Sequence, residues 1–428
     1  MVRRILKNRT ARNAGWLIGG RMAQMLVNLV VGLLTARYLG PANYGLIHYA
    51  GAYTAFFSAV CNLGIHGVLV KELMDHPGRE GEVIGTSLLL RGVASALSAL
   101  TILGIVLIAD QGERTTILVV GLSSLGMLLQ SFEVTNFWFQ SRLQSKVTAL
   151  ASLGAYVVTA GYKVFLLISG KSVVWFALAA SVDHLCIGAL LLWAYRKQGG
   201  GRLCVSWSYG KALLGRSCHF ILPSLMVAVY GQTDKLMLRH MMGDAEVGYY
   251  STAVSLCGVW CFVLSAIIDS ACPGIMEASE REEKLFERRN RQLYAIVFYL
   301  SGAVSLCFTL FGEWAIWLLY GEAYLPAAAP LRIITWYTAF SYLGVARNAW
   351  VVCKNRQSDL IYVYGAAAVS NVALNMLLIP RWGASGAAAA SLAAQIVTTM
   401  VAPWCIPGLR ENTKLMADAI RLRGIREE

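Results

Sequence analysis

Long runs of apolar residues make up most of the chain, and polar positions come mainly in short clusters between them. Runs of about 20 apolar residues are long enough to cross the roughly 30 Å hydrocarbon layer of a bilayer as α-helices. Transmembrane β-strands would show short alternating segments instead. The pattern therefore predicts an all-α integral membrane protein with about twelve transmembrane helices: 14–36, 43–69, 84–108, 115–137, 147–168, 173–195, 217–240, 246–271, 293–312, 327–350, 359–379 and 384–406.

One apolar segment fits this pattern poorly. Residues 312–330, GEWAIWLLYGEAYLPAAAP, are interrupted by glycine and proline. This composition suits an interfacial or re-entrant hairpin. The alternative is an ordinary outer loop with aromatic residues that anchor it at the membrane interface.

Composition and charge support a membrane protein and predict its orientation. Of the 428 residues, 57% are hydrophobic and only 14% are charged, whereas about a quarter of the residues in a soluble domain are charged. Lysine and arginine fall on the two sides of the predicted spans in a ratio of 27 to 7. Since basic loops stay in the cytoplasm, this bias places both termini there. The same bias explains the net charge of +13, so this charge does not indicate a nucleic-acid-binding protein.

Short sequences recur between the two halves of the chain. TARYLGPANYG, Thr35–Gly45, follows the first predicted span, and LRHMMGDAEVGYY, Leu238–Tyr250, follows the seventh. NFWFQSRLQSK, from Asn136, follows the fourth span, and NAWVVCKNRQS, from Asn348, follows the tenth. Two echoes in the same order predict two six-span halves that run in the same direction, an architecture found in transporters.

The repeat predicts a domain organisation with both lobes helical. Residues 1–198 would form an N-terminal six-helix lobe. The basic, glycine-containing stretch 199–216 would be a cytoplasmic linker. Residues 217–428 would form a C-terminal six-helix lobe that ends in an amphipathic cytoplasmic tail.

Two arginines lie at matched depths inside predicted spans. Arg21 lies seven residues into the first span, and Arg91 lies at a similar depth in the third. A charge at the centre of a membrane helix costs about 2.5–3.5 kcal/mol on insertion scales, so it usually faces a cavity or a partner. Together the two guanidinium groups could hold a phosphate. Alternatively, each reaches the cytoplasmic headgroups or pairs with Glu133 in the fourth span.

Other ionisable residues lie inside the spans. Lys163 is near the outer end of the fifth span, where extension of its side chain to the interface would explain it. Asp183, beside His184 in the sixth span, could relay a proton or form a salt bridge with Lys163. Asp234 lies two-thirds along the seventh span. The candidate residues of the second lobe are therefore carboxylates only. We predict two sets: Arg21, Arg91 and Lys163 for the substrate, and Asp183, Asp234 and Glu133 for ion coupling.

Signatures of catalysis are missing from the sequence. It contains no GxSxG, P-loop or HExxH motif. No histidine pair has metal-ligand spacing, and the ten cysteines include no CxxC pair. We therefore expect a protein that is not an enzyme, binds no metal or organic cofactor, and uses H⁺ or Na⁺ if its transport is coupled.

The order of these pieces resembles the polysaccharide flippases, the Wzx-type branch of the multidrug/oligosaccharidyl-lipid/polysaccharide exporter superfamily, with a MATE-like fold. The resemblance covers most of the chain. It rests on four stretches: NAGWLIGGRMAQMLVNLVVGLLTARYLGPANYG after a basic N-terminus, NLGIHGV, NFWFQSR, and ILPSLMVAVYGQTDKLMLRHMMGDAEVGYYSTA.

The resemblance implies a substrate and a location. The substrate would be a polyprenyl-pyrophosphate-linked oligosaccharide, moved to the outer leaflet of the plasma (inner) membrane for cell-surface polysaccharides such as O-antigen or lipopolysaccharide. Arg21 and Arg91 are the residues that would hold the pyrophosphate. Membrane lipids and other membrane proteins of polysaccharide assembly are the further partners expected.

Three other functions remain open on the sequence alone. A cation-coupled multidrug exporter of the same superfamily would need an acidic cavity, which Asp183 and Asp234 could supply. A membrane glycan polymerase or acyltransferase would need a large outer loop or a catalytic cluster, and neither is visible. A scaffolding protein could keep the fold without transport.

Overall fold

A computed structural model shows that the protein is helical throughout the part it describes. It describes residues 9–76 and 78–424, and within them the side chains of residues 9–23, 26, 66, 67 and 220 lie outside the description. The described chain contains seventeen α-helices and no β-strand. The predicted all-α class is confirmed.

The helices follow one another with short connections. The first ten are α1 (Arg9–Cys61), α2 (His66–Asp75), α3 (Glu80–Ala109), α4 (Arg114–Gln130), α5 (Thr135–Ser141), α6 (Ser145–Ile168), α7 (Val173–Ala177), α8 (Ala179–Lys197), α9 (Trp207–Ser217) and α10 (Ile221–Met242). The remaining seven are α11 (Asp244–Gly258), α12 (Cys261–Arg281), α13 (Glu283–Tyr320), α14 (Ala328–Cys353), α15 (Leu360–Ile396), α16 (Ala402–Cys405) and α17 (Arg410–Ile420). Short helical turns join some of them: 3₁₀ turns at Ser131–Val134, Cys218–Phe220, Glu322–Ala327 and Gln357–Asp359, and a π turn at Val397–Val401.

Each of the twelve predicted spans coincides with a helical segment. Two pairs of spans are continuous in the structure. α1 contains the first span and most of the second, and α15 contains the eleventh and much of the twelfth; each is broken at one glycine with non-helical backbone angles, Gly40 and Gly383 respectively. By length and composition, seven helical segments of the described chain can cross a membrane, or eight if α9 and α10, bent by 60°, are counted as one.

The segment 312–330 continues a helix for about half of its length, whereas its sequence suited either a re-entrant hairpin or an outer loop. α13 continues without a break through Gly312 to Tyr320, eight residues beyond the predicted end of the span, and the 3₁₀ turn Glu322–Ala327 follows. A Cβ atom on Gly312 would lie 2.9 Å from the side chain of Leu331 in α14. Glycine at this position therefore serves close helix packing and does not end the helix.

Three connectors between helices share a backbone conformation. Gly40, Gly243 and Gly321 have φ of 71°, 97° and 88° and ψ of 171°, 178° and 177°. This region is essentially restricted to glycine. Each glycine is followed after one residue by alanine. The first two glycines belong to the predicted echo, which therefore recurs because both connectors need this backbone conformation. The third connector was not recognised in the sequence.

The first two connectors also contact each other reciprocally. A Cβ atom on Gly45 would clash with the carbonyl oxygen of Asp244, and one on Gly248 would clash with the carbonyl oxygen of Pro41. Both pairs of equivalent positions, Pro41 with Asp244 and Gly45 with Gly248, are 203 residues apart. The second glycine of each echo is thus required where two helix starts cross.

Short helices follow the sixth and the twelfth span. α9 and α17 have 11 residues each, and they too begin 203 residues apart. Leu213 of α9 is buried in a cluster that contains Trp138. Met416 of α17, its equivalent, is buried in a cluster that contains Trp350. The predicted linker and the predicted tail therefore each contain a helix that packs on neighbouring spans.

The chain forms two compact units. The first contains Met1–Leu39 and Leu46–Ala228, and the second contains Gly40–Gly45 and Val229–Glu428. The predicted linker, 199–216, lies in the first unit, where the backbone of Cys204 and Arg202 packs tightly on Gly85 and Gly81 of α3.

Candidate functional site

Arg91 lies in the interior of the first unit. Only 6% of its surface is exposed, and its Nη2 donates a 2.7 Å hydrogen bond to Oδ1 of Asn62, in the turn after α1. Glu133 is close enough to interact electrostatically with Arg91, but within the described residues the two form no ion pair. Arg21 belongs to α1, and its side chain is outside the description.

Glu133 pairs with a histidine. It lies on the 3₁₀ turn between α4 and α5, and its Oε1 is 2.7 Å from Nδ1 of His184 in α8. Both side chains are about one-quarter exposed, at 26% each. His184 therefore faces Glu133 and not its neighbour Asp183, since consecutive residues of a helix point in different directions.

Asp183 has few partners. Its Oδ1 accepts a 3.3 Å hydrogen bond from the hydroxyl of Thr159 in α6. Lys163, one turn further along α6, interacts with it electrostatically, but the described residues show no ion pair between them. A carboxylate can accept about four hydrogen bonds. Asp183 is half-buried and has capacity for a proton or a cation.

Asp234, in α10 of the second unit, has a much fuller set of partners. It is 3% exposed. Its Oδ2 accepts hydrogen bonds from the phenol of Tyr250, at 2.7 Å, and from the hydroxyl of Ser391. Its Oδ1 accepts hydrogen bonds from the amides of Asn371, at 2.9 Å, and Asn375, at 2.5 Å. Four side chains thus converge on one buried carboxylate.

The fold of α15 brings these partners together. Asn375 and Ser391 each lie eight residues from Gly383, on opposite sides of it. In a straight helix they would be about 24 Å apart, yet both bond to Asp234. The two arms of α15 therefore fold back on each other at Gly383. Gly386 allows this turn, because a Cβ atom there would clash with the carbonyl oxygen of Leu378.

The same side chains could hold a cation. An amide can present either its NH₂ group or its oxygen, and the orientation follows from the surrounding hydrogen bonds. Oδ1 of Asn375 is buried without a hydrogen-bond partner. Rotation of the Asn371 and Asn375 amides would direct their oxygens to the position beside Asp234 and Ser391. A set of oxygen ligands suits a hard cation such as Na⁺.

Arg347 of α14 is a functional candidate that the sequence analysis missed. It is 1% exposed, and its Nη1 donates a 3.1 Å hydrogen bond to the carbonyl oxygen of Thr398 in the π turn. Arg347 lies inside the predicted span 327–350, but its charge was counted with the cytoplasmic loop that follows this span. The prediction that the second lobe offers carboxylates only is therefore wrong, because this cation is buried in the same unit as Asp234.

The second echo marks an ion pair at the predicted cytoplasmic end of the first unit. Glu80 begins α3, and it accepts 2.7 Å hydrogen bonds from Nε1 of Trp138 and from Nη2 of Arg142. The Arg142 guanidinium also lies 4.0 Å from the centre of a Trp138 ring. These contacts tie the start of α3 to the end of α5.

The second unit has an equivalent pair. Lys354 Nζ lies 2.7 Å from Oε1 of Glu283, the first residue of α13, which is 203 residues after Glu80. This hydrogen bond raises the pKa of Lys354 above its ordinary value. The buried Trp350 makes no hydrogen bond through Nε1 within the described residues. The cluster Glu283, Glu287 and Glu411 has metal-ligand spacing, but Lys354 also lies 3.9 Å from Glu411 and supplies the positive charge there.

Solved structures with the same fold are transporters. An inward-facing multidrug resistance MATE transporter of the MOP superfamily has a TM-score of 0.68 at 15% identity, covering 92% of this chain and 96% of that chain. A MOP-superfamily transporter from Pyrococcus furiosus Vc1 has a TM-score of 0.64 at 14% sequence identity, and the match covers 97% of each chain. The lipid II flippase MurJ, in an inward closed conformation, has a TM-score of 0.64 at 12% sequence identity, and the match covers 96% of this chain and 90% of that chain. The protein thus has the MATE-like fold of multi-span membrane transporters.

The sequence itself identifies the family. The model of the polysaccharide biosynthesis protein family matches residues 10–279. The chain belongs to this family. No curated protein sequence matches the chain.

Proposed function

We propose that this protein is a flippase that moves polyprenyl-pyrophosphate-linked oligosaccharide from the cytoplasmic to the outer leaflet of the plasma membrane by alternating access. The observation that carries the proposal is the membership of the polysaccharide biosynthesis family. The fold supports it, since MurJ, a lipid II flippase, has the same fold. O-antigen or lipopolysaccharide assembly is the pathway class we propose, with other assembly proteins of the membrane as partners.

Arg91 would hold the pyrophosphate. A diphosphate cannot cross hydrocarbon without compensating charge. Arg91 is buried, its ordinary partner is a neutral amide, and its Nε makes no hydrogen bond in the described structure. Its positive charge therefore remains available for an anion. Two further residues would complete the set: Arg21, which lies at a similar depth in its predicted span, and Lys163.

A cation at Asp234 would couple transport to an ion gradient. Asp234 collects polar side chains from two helices, α11 and α15, and those side chains can either donate to the empty carboxylate or chelate Na⁺ with it. Asp183 and Glu133 would respond to the gradient in the first unit, where Glu133 is paired with His184. H⁺ is the alternative coupling ion.

A cation-coupled multidrug exporter is the second candidate. Solved multidrug transporters with this fold favour it, as does the buried carboxylate Asp234. Its substrates are cations, so a buried Arg91 would repel them. The two functions therefore predict opposite effects when Arg91 is neutralised: loss of flipping in the first case, and unchanged or improved dye export in the second.

The test is the pool of polyprenyl-linked lipids extracted from cells with and without the gene. A flippase predicts that a completed oligosaccharide accumulates on its pyrophosphate carrier, accessible only from the cytoplasm, when the protein is absent. Complementation with the unaltered gene should clear this pool. An unchanged pool, together with retention of a cationic dye in the deleted cells, would reject the flippase and support the exporter.

A further inference from the structure

Arg347 is a buried cation without a carboxylate partner in the described residues. A charge at this depth is costly unless it is paired, and one bond to the carbonyl oxygen of Thr398 offsets only part of that cost. Its Nε makes no hydrogen bond in the described structure. An unpaired cation is retained at such a cost where its charge has a task.

The helices that surround Arg347 are the ones that build the Asp234 site. Thr398, which binds Arg347, is seven residues after Ser391, which binds Asp234. Tyr364, which interacts electrostatically with Arg347, is seven residues before Asn371. Seven residues of helix span about 10 Å. The groups that interact with the two charges therefore lie about two helical turns apart, both on the first arm of α15 and between its second arm and the π turn that follows it.

Two tyrosines interact with the two charges and with each other. Tyr230, one turn before Asp234 on α10, interacts electrostatically with Arg347 and with Tyr337. Tyr337 of α14 in turn interacts with Asp234. Phenol groups in place of water would lower the effective dielectric constant through which two such charges interact.

We infer that Arg347 is the counter-charge of the Asp234 ion site. It stabilises the carboxylate when the site is empty and opposes a cation when the site is filled, which lowers affinity and allows the ion to leave. A transported ion must be bound weakly enough for release. The inference rests on the proposed ion-coupling role of Asp234 and makes Arg347 a positioning residue that tunes it.

Electrostatics sets the size of the effect. Two unit charges about 10 Å apart at an effective dielectric constant near 20 interact strongly enough to change a binding constant roughly tenfold. Lys235, next to Asp234 and bonded to Gln232 at 3.4 Å, contributes a second positive charge. The effect of Arg347 is therefore measured with Lys235 left unchanged.

The experiment is a Na⁺ titration of the purified full chain in nanodiscs, at constant pH and with choline keeping the ionic strength constant. The shift of the thermal unfolding midpoint with Na⁺ gives an apparent Kd. Arg347→Gln, which removes the charge but can still donate to Thr398, should bind Na⁺ roughly tenfold more tightly than the unaltered protein. Arg347→Lys, which keeps the charge, should bind it as the unaltered protein does. Arg356→Gln, an exposed site, is the matched control and should change nothing.

The outcomes separate the two ideas. If Asp234→Asn abolishes the Na⁺ response but Arg347→Gln leaves the Kd unchanged or weakens it, the counter-charge is rejected and the ion site stands. If the unaltered protein shows no Na⁺ shift, or Asp234→Asn keeps it, the Na⁺ site and the inference both fail. Arg347→Met, which needs no hydrogen-bond partner, replaces the glutamine variant if that does not fold. If neither neutral variant folds while Arg347→Lys does, Arg347 is a structural residue and the inference is wrong.

Discussion

The two units agree at their helix ends and differ in their interiors. Both have a glutamate at the start of a long helix, paired with a basic residue after a buried tryptophan. Both have a short helix of 11 residues after the sixth span. In the interior, the first unit has separate polar pairs such as Arg91 with Asn62 and Glu133 with His184. The second has one carboxylate surrounded by four donors.

The contacts that the two units share are structural, and the ionisable residues that differ between them are the candidates for function. Features that repeat at a spacing of 203 residues lie where the chain turns or where helices are tied together. Features that do not repeat lie in the spans, where an ionisable group is costly and needs a function. The proposed substrate residue of the first unit, Arg91, has one hydrogen-bond partner, and its Nε makes no hydrogen bond in the described structure. The proposed ion site of the second unit consists of four side chains that enclose one carboxylate.

The largest effect should come from the crossing of the two connectors. Gly45→Ala or Gly248→Ala places a Cβ atom on a backbone carbonyl oxygen, which cannot move without unfolding the helix starts. We expect a loss of more than about 4 kcal/mol and little folded protein by size-exclusion chromatography. Gly51→Ala and Gly231→Ala, where a Cβ atom meets nothing within 4 Å, are the controls and should fold normally.

The next comparison is between the two interior aspartates. Asp234→Ala leaves four buried donors without an acceptor and should cost about 3–5 kcal/mol. Asp183→Ala loses one 3.3 Å hydrogen bond and should cost about 1 kcal/mol. Thermal unfolding of the two purified variants measures both. Equal losses would show that the second unit's site is no more cooperative than the first unit's.

Neutralising Arg91 should affect transport more than stability. Arg91→Ala removes a charge-assisted contact worth about 1.5–3 kcal/mol, which corresponds to roughly a tenfold to hundredfold loss of glycan export at normal protein abundance. Cell-surface glycan, quantified per molecule of transporter, is the measurement. Arg114→Ala, at the exposed start of α4, is the matched control. Normal export by Arg91→Ala would remove this residue from the substrate site.

Replacing the glutamates of the two repeated ion pairs should lower stability by modestly different amounts. Glu80→Gln weakens bonds from both Trp138 and Arg142 and should cost about 1–2 kcal/mol. Glu283→Gln weakens mainly the bond from Lys354, which is partly exposed, and should cost less than about 1 kcal/mol. Chemical unfolding of the two variants tests this order, which would be contradicted by a larger loss at Glu283.

The smallest expected effect is a pH dependence from Lys354. Its pKa is raised in the folded protein by the hydrogen bond to Glu283. The stabilisation is therefore fully present below the ordinary lysine pKa of 10.5 and is lost as pH rises through the higher folded value. The unfolding midpoint of the unaltered protein should fall slightly more steeply above pH 10.5 than that of Lys354→Met. Parallel curves would show that the pair contributes nothing.

Much of the helical pattern follows from the sequence, because each span is a local run of apolar residues. The end of α13 was misplaced, because Gly312 and Gly321 look alike in the sequence. Only packing distinguishes them: Gly312 lies against Leu331, whereas Gly321 has a positive φ of 88°. A glycine in an apolar run can thus permit contact or end a helix, and the run itself does not say which.

The candidate site was less predictable. Asp234 was found as a charge in a span, but three of its four partners lie 137 to 157 residues further along the chain. The pair Asn371 and Asn375, one turn apart in an apolar span, was an available signal that polar groups converge there. Arg347 was missed because it lies three residues before the end of its predicted span, where a basic residue is counted with the adjoining loop. Its burial depends on the π turn at Val397–Val401, which no local pattern indicates.

The long separation between Asp234 and its partners has a consequence for how the protein is made. A ribosome adds about 5–20 residues per second, so Asn371 follows Asp234, 137 residues earlier, by on the order of ten seconds. During that interval Tyr250 is the one hydrogen-bonding partner of the carboxylate that has already been synthesised. The seventh span is therefore synthesised before three of the four donors to its carboxylate exist, and the site is completed only when the chain folds back at Gly383.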